Sequence, residues 1–316
     1  MLRFAFLLLV LAVSRVEVAT AATCALSHWG DQSSSAEGLF SGLRGLAVNR
    51  QTGQLLAADG GNNRVEYFDA RACESGSPNA CFLRLSGLGA APSGIAWADD
   101  GTAYVTLEGA NQLVKLDPSG SEVSPRRATT YSPTLVVFDE IARRVWASSP
   151  GSSTIFCYDE DLQPQPVANI SFTMDHPQGL FVRDGFLYVT TDLDNVYRIE
   201  LAAPPSSRVP LFSTSSTSAH STWGIVVDVR GDIFIANRDS GVVNQYDESG
   251  YLLSSLTLLS GSAPQSLAID EAGAFLYVSE AGYRVERFGL RRAVGDCLTA
   301  VERVTWSGIK LRSWAR

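Results

Sequence analysis

Gly45-Leu-Ala-Val, then Leu55-Leu-Ala-Ala-Asp59, then Arg64-Val-Glu-Tyr-Phe-Asp69 are three short apolar runs parted by glycine-containing loops. The same phrase returns as Gly94-Ile-Ala-Trp, Tyr104-Val-Thr and Leu113-Val-Lys-Leu-Asp117, and starts again at Thr134, Gly179, Gly224 and Ser266. The starts lie 49, 40, 45, 45 and 42 residues apart. A period of about 40–50 residues made of short strands and turns belongs to β-propellers, where each repeat is one four-stranded blade. The expected fold is therefore all-β: a six-bladed β-propeller with blades starting near residues 43, 92, 132, 177, 222 and 264.

Within each repeat the strands run A, B, C, D. Strand A follows the start glycine and is apolar on both faces, as expected beside the ring axis. Backbones approach closely there, so a side chain at the glycine would obstruct them. Turns such as Gln51-Thr-Gly53 and Asp99-Asp-Gly101 join A to B, with glycine supplying positive φ. Strand B is aromatic and β-branched (Leu187-Tyr-Val-Thr, Leu276-Tyr-Val-Ser). Strand C alternates polar and apolar, as in Asn195-Val-Tyr-Arg-Ile. Strand D is the weakest: Cys81-Phe-Leu-Arg-Leu, Val167-Ala-Asn-Ile-Ser-Phe, Val209-Pro-Leu-Phe, Leu252-Leu-Ser-Ser-Leu. Pro210 suits an edge strand and not a central one.

The chain has 316 residues, 45% of them hydrophobic, and a formal charge of −8. An acidic balance argues against nucleic acid, which calls for a basic stripe. Residues 1–22 read as a secretory signal peptide: Arg3, an apolar run from Phe4 to Val13, then small residues at Ala19-Thr-Ala21. The run is too short to span a bilayer, which takes about 20 apolar residues. A secreted, extracellular protein and a monomer are expected. Cys73 and Cys81 flank a turn-rich loop and are expected to form a disulfide in an oxidising compartment. Cys157 lies inside a strand and reads as a buried free thiol. Asn169-Ile-Ser171 is a glycosylation sequon. Residues 298–316 form a basic tail with two tryptophans, read as a strap on the propeller or as a docking peptide.

The phrase resembles the NHL repeat, whose pattern is Pro-x-Gly-Ile-Ala-Val, a turn, Tyr-Val-Ala-Asp, then Gly-Asn-Asn-Arg-Val and a Phe-Asp ending. The best copy runs from Gly45 to Asp69 and contains Asp59-Gly-Gly-Asn62-Asn63-Arg64-Val65. Pro92-Ser-Gly94, Pro177-Gln-Gly179 and Pro264-Gln-Ser266 match the lead-in turn. The resemblance covers nearly the whole chain after residue 22 and speaks to the propeller more than to an activity. It also implies that residues 25–30 are a strand D that completes blade six and closes the ring. The propeller would then span residues 23–297, and Cys24 would pair with Cys297 across the seam.

Chemistry is expected where the D–A and B–C loops share one face around the channel mouth. The candidate binding residues there are Asp59, Asn62, Asn63, Glu108, Asn111, Asp192, Asn237, Arg238, Glu280, His176 and His220. Asp59, Glu108, Asp192 and Glu280 come from four blades and could ring a hard cation such as Ca²⁺. The stronger reading is that an Asp or Asn ending strand B caps the next loop. His176 and His220 with Asp192 or Asn237 would suit Zn²⁺ with an open position, similar to the amidating-lyase propellers, but His28 lies on an outer strand and cannot complete a three-histidine set. The expected function is a binding module for a protein or glycan. The alternative is a metal-dependent hydrolase or lyase of gluconolactonase-like, streptogramin-lyase-like or amidating-lyase-like type. The repeat around Pro92-Ser-Gly94, Asp100-Gly101 and Glu108 echoes the streptogramin-lyase pattern once.

Overall fold

The computed structural model describes residues 25–29, 34–70, 81–129, 131–202, 210–214, 222–258, 263–270 and 274–290. Residues 1–22, read above as a signal segment, and Cys24, Cys73, His220, Cys297 and the tail from residue 298 lie outside them.

The described strands form six four-stranded antiparallel sheets, the blades of a β-propeller. Five are sequential. Blade 1 holds β2 (Leu43–Val48), β3 (Gln54–Asp59), β4 (Arg64–Asp69) and β5 (Phe82–Gly87). Blade 2 holds β6 (Pro92–Trp97), β7 (Ala103–Leu107), β8 (Gln112–Leu116) and β9 (Glu122–Ala128). Blade 3 runs from β10 (Val136–Asp139) through β11 (Arg144–Ser149) and β12 (Thr154–Asp159) to β13 (Ile170–Ser171). Blade 4 runs through β14 (Pro177–Arg183), β15 (Phe186–Thr191), β16 (Asn195–Glu200) and β17 (Pro210–Ser213). Blade 5 is β18 (Thr222–Val227), β19 (Ile233–Asn237), β20 (Val242–Tyr246) and β21 (Leu252–Thr257). Blade 6 is β22 (Pro264–Asp270), β23 (Phe275–Glu280) and β24 (Arg284–Gly289), and its outer strand is β1 (Ala25–Trp29). Ser27 opposes Arg287 and Trp29 opposes Val285, so a strand from the N-terminus completes the last blade. That strand covers the edge of β24 that would otherwise be open at the seam.

Two boundaries differ from expectation, both in blade 3. Its first strand begins at Val136, after the turn at 132–135. The expected strand over Val167 to Phe172 shrinks to two residues, because Pro166 opens a short 3₁₀ turn at Pro166–Ala168 and cannot donate to a ladder.

The core is six layers, each shared by successive blades. Leu46, Leu55 and Phe68 of blade 1 pack on Ala268, Tyr277 and Val285 of blade 6. Leu56 and Val65 pack on Ile95, Val105 and Val114. The other four junctions repeat this pattern. A blade buries its faces only against neighbours, so cooperative stability requires the whole ring. Cys157 is buried and free, and burial pushes its thiol up to about 11. Cys81 is buried and disulfide-bonded.

A ring of hydroxyls near the end of strand B joins blades around the axis. Thr106 Oγ1 accepts the Gly94 N–H at 2.6 Å and donates to the Thr134 carbonyl of blade 3 at 2.7 Å. Thr190 does the same between Gly179 (2.8 Å) and the Trp223 carbonyl of blade 5 (2.5 Å). Ser279 takes the Ser266 N–H at 2.9 Å and reaches the Arg44 carbonyl of blade 1 at 2.6 Å. Blades 1 and 5 carry alanine at the matching positions, Ala58 and Ala236. The same register irregularity interrupts the A strands at Leu43/Leu46, Pro92/Ile95, Pro177/Leu180, Thr222/Ile225 and Pro264/Leu267. Such a bulge bends the strand and re-aims a side chain.

The approach to blade 1 is fixed by one buried cation. Arg64 donates to the carbonyls of Ser35 (2.8 Å), Ala36 (2.8 Å) and Leu39 (2.9 Å), and pairs with both Asp59 and Glu66. Glu66 is fully buried and also accepts the Gly38 N–H at 3.0 Å. Burial outweighs Arg64 and pushes the Glu66 carboxyl up to about 7 from 4.5. The folded state therefore holds this proton more tightly than the unfolded chain does. The stability it contributes is fully present below about 4.5 and is lost as pH rises through about 7. We expect stability to fall by about 1–3 kcal/mol across that window, and the fall to flatten in Glu66→Gln. Urea unfolding from pH 4.5 to 8 measures this, and an unchanged slope in the variant would refute it.

Candidate functional site

The channel widens at each end. At the D–A and B–C face a cavity of about 250 Å³ is lined by Arg44, Ser93, Glu108, Thr134, Gln178, Trp223, Arg238 and Gln265, with Leu135 and Ser266 below. Arg44, Ser93, Gln178, Trp223 and Gln265 share one position, the second residue of strand A, and Thr134 sits at the matching place in blade 3. It is the middle residue of each lead-in turn: Pro-x-Gly in blades 2 and 4, and Leu43-Arg-Gly45, Pro133-Thr-Leu135, Thr222-Trp-Gly224 and Pro264-Gln-Ser266 in the others. The bulge there lets strand A present this side chain to the axis. Six blades thus contribute one side chain each to one rim, of five kinds.

The rim is polar, with one large aromatic. Arg44 of blade 1 pairs with Glu108 of blade 2 across the mouth. The Arg238 guanidinium lies 4.7 Å over the Trp223 ring, and among the described residues no acid pairs with it. Two amides, Gln178 and Gln265, and the Ser93 and Thr134 hydroxyls complete the lining. The Ser93 hydroxyl is turned inward, to Thr106 at 2.9 Å and the Thr134 carbonyl at 2.8 Å.

Of the residues expected at this face, Glu108 and Arg238 reach the cavity. Most of the other described candidates serve the loops. Asp59 is fully buried; it accepts the Ser41 N–H at 2.7 Å and receives Asn62 at 2.6 Å and Arg64 at 3.1 Å. Burial raises its carboxyl above the ordinary value, against those three donors. Asn62 also donates to the Ser34 carbonyl at 2.8 Å. Asn63 and Asn111 close the 3₁₀ turns after β3 and β7 with φ of 54° and 52°. The left-handed region is one that asparagine tolerates better than most residues. Asn237 is buried, and its side chain accepts the Ser240 N–H at 3.4 Å. Glu280 is buried at the end of β23. His176 and Asp192 lock the turn into blade 4: Asp192 accepts the His176 N–H at 2.8 Å and contacts Nδ1 at 2.6 Å.

Asp59 and Asp192 cap loops, in line with the stronger of the two readings, and the four carboxylates do not gather into a cation ring among the described residues. Register explains why. Asp59 and Glu280 end strand B, opposite Leu43 and Pro264, whereas Glu108 and Asp192 come one residue later, after Leu107 and Thr191. A one-residue offset turns a side chain elsewhere. Asp59, Glu108 and Asp192 are moreover engaged by Arg64, Arg44 and His176. Among the described residues no group of three or more His, Cys, Asp or Glu is placed to hold a metal ion. These four acids do not fit a shared Ca²⁺ or Zn²⁺ site.

No protein-family model matches the chain, and no curated relative matches it. Solved structures do resemble it. A catalytically inactive virginiamycin B lyase from Staphylococcus aureus, solved with quinupristin, superposes with a TM-score of 0.60 at 12% identity, over 79% of this chain and 80% of that one. A gluconolactonase from Xanthomonas campestris gives 0.63 at 15% identity, over 84% and 89%. A chain of the nidogen–laminin complex gives 0.57 at 13% identity, over 72% and 84%. At these identities the likeness shows the shared propeller fold.

Proposed function

We propose that this chain is a secreted propeller of the NHL type that acts as a binding module, taking a protein or glycan ligand on the channel mouth. One observation carries the reading: the middle residues of six lead-in turns converge on one rim, joined by Glu108 and Arg238. A tryptophan face beside amides and a guanidinium suits a ligand with an apolar face and polar edges. The structural likeness to a chain of the nidogen–laminin complex supports it. Trp223 is half-buried and its other face packs on the layer between blades 5 and 6, so its removal costs some stability; at temperatures where both proteins are folded, it should weaken ligand binding by about 2 kcal/mol or more. Glycan and peptide arrays probed with the native chain and with Trp223→Ala measure this. Array signal equal in the two, with both folded, would count against the mouth.

A second reading, a hydrolase or lyase, is favoured by two observations. The lyase and gluconolactonase above share the fold. His176 and Asp192 also form a dyad on the same face. With Nδ1 donating to Asp192, Nε2 would carry the lone pair of a general base. Lactone or cyclic-ester turnover that disappears in His176→Asn, with array binding absent, would make this the better reading.

A further inference from the structure

The far end of the channel is built differently from the mouth. A cavity of about 280 Å³ is enclosed there by all six A strands and by several of their A–B turns. Its walls include Val48, Trp97, Phe138, Phe181, Val226 and Ile269. Val48, Trp97 and Phe181 are only half-buried. The two cavities share Leu135 and Ser266 at the waist.

Arg50 crosses this end. It belongs to the A–B turn of blade 1, yet its guanidinium lies 5.7 Å over the ring of Phe181 in blade 4. Blades 1 and 4 are opposite in a ring of six, so the side chain spans the opening. Among the described residues no acid pairs with Arg50. Asp184 faces Arg183 at 3.4 Å, Glu140 accepts the Asp99 N–H at 2.6 Å, and Asp99 forms no ion pair with Arg50. Arg183, the other cation of this rim, is tied to the Val227 carbonyl at 2.7 Å. A guanidinium with no acid partner among the described residues thus stands at the opening of a cavity whose inner wall is apolar and whose rim is polar, with Asn49, Asp99, Asp139, Glu140 and Asp184 in the lining.

We propose that this end of the channel is a second ligand site, for a small amphiphilic carboxylate whose apolar body enters the channel and whose head pairs with Arg50. A guanidinium presents parallel N–H donors that match a carboxylate, and such pairs are stronger than a cation lying on an aromatic face. Small-molecule sites pair mostly apolar walls with one or two polar groups that fix orientation. At about 30 Å³ per water in the liquid, the cavity equals about nine waters, the size of a ligand of about ten non-hydrogen atoms.

Octanoate is the probe and octanol the neutral control, measured by isothermal titration. Arg50 is exposed and makes no interblade hydrogen bond among the described residues, so Arg50→Gln should fold. The proposal expects octanoate to bind the native chain and to bind Arg50→Gln at least about tenfold more weakly. Octanol should bind both alike, and Arg44→Gln, at the opposite mouth, should bind octanoate as the native chain does. Failure of octanoate to bind at millimolar concentration would overturn it. So would equal affinity for Arg50→Gln, or loss in Arg44→Gln instead. Loss in Arg44→Gln would move octanoate to the mouth; the other outcomes leave ligand binding at the mouth untouched, and Trp223→Ala reads that separately.

Discussion

Gly179→Ala is expected to cost about 3 kcal/mol of stability, near the upper end for overpacking a core. A Cβ built on Gly179 would lie 2.0 Å from the Trp223 carbonyl oxygen and 2.5 Å from Thr190 Oγ1. Neither can move aside cheaply. The Trp223 carbonyl is backbone and accepts the Thr190 hydroxyl at 2.5 Å, while that hydroxyl receives the Gly179 N–H. The added methyl would therefore push blades 4 and 5 apart, opening the layer of Tyr188, Val196, Ile225 and Ile235. Gly94 has the same character, with the Thr134 carbonyl 2.4 Å from its Cβ position. Gly185→Ala makes a control, since nothing lies within 4 Å of its Cβ. Its φ of +79° should cost only about 1 kcal/mol. Urea unfolding of the three proteins tests this. Equal midpoints for Gly179→Ala and Gly185→Ala would show that the close approach does not matter.

Arg64→Met is expected to be the other severe substitution, at about 3–5 kcal/mol, because it strips the partner from two buried carboxylates. Asp59 and Glu66 are both fully buried, and both face Arg64. The same substitution removes three hydrogen bonds to the carbonyls of Ser35, Ala36 and Leu39. Its effect should be local first. Phe40, fully buried in the layer between blades 6 and 1, would be reached more easily by chymotrypsin. Cleavage after Phe40 in the variant under native conditions, with protection in the native chain, is the expected outcome. A variant as stable and as protected as the native chain would refute the clamp.

The repeat made the blades legible, because strand periodicity and turn glycines are local properties. Five of the six A strands begin within a residue of the expected start: Leu43, Pro92, Pro177, Thr222 and Pro264. The seam was legible too, since blade six lacked a fourth strand and residues 25–29 supplied one. The site was much less so. Carboxylates and asparagines at the end of strand B draw notice by their chemistry. Yet the end of strand B lies a strand spacing, about 4.8 Å, farther from the axis than strand A. Most of those residues fold back on their own loops, as Asp59 does on Ser41 and Asp192 on His176. The residues that do face the mouth hide in the lead-in turn, where Arg44, Gln178, Trp223 and Gln265 fill a position the repeat leaves variable. The variable middle residue of the lead-in turn, seen as the x of Pro92-Ser-Gly94 and Pro177-Gln-Gly179, was the available signal.

By itself, then, the sequence determined the all-β class, the number of blades, the order of strands and the need for glycine beside the axis. Each follows from interactions between near neighbours in the chain or from the repeat itself. Only the tertiary structure decided which side chains share a rim. Ring closure brings together residues 44, 93, 134, 178, 223 and 265, and a bulge one residue long settles which of them faces the axis. Only closure, likewise, carries Arg50 across to Phe181. Distances across a ring depend on the sum of six interblade packings, and no local pattern encodes that sum.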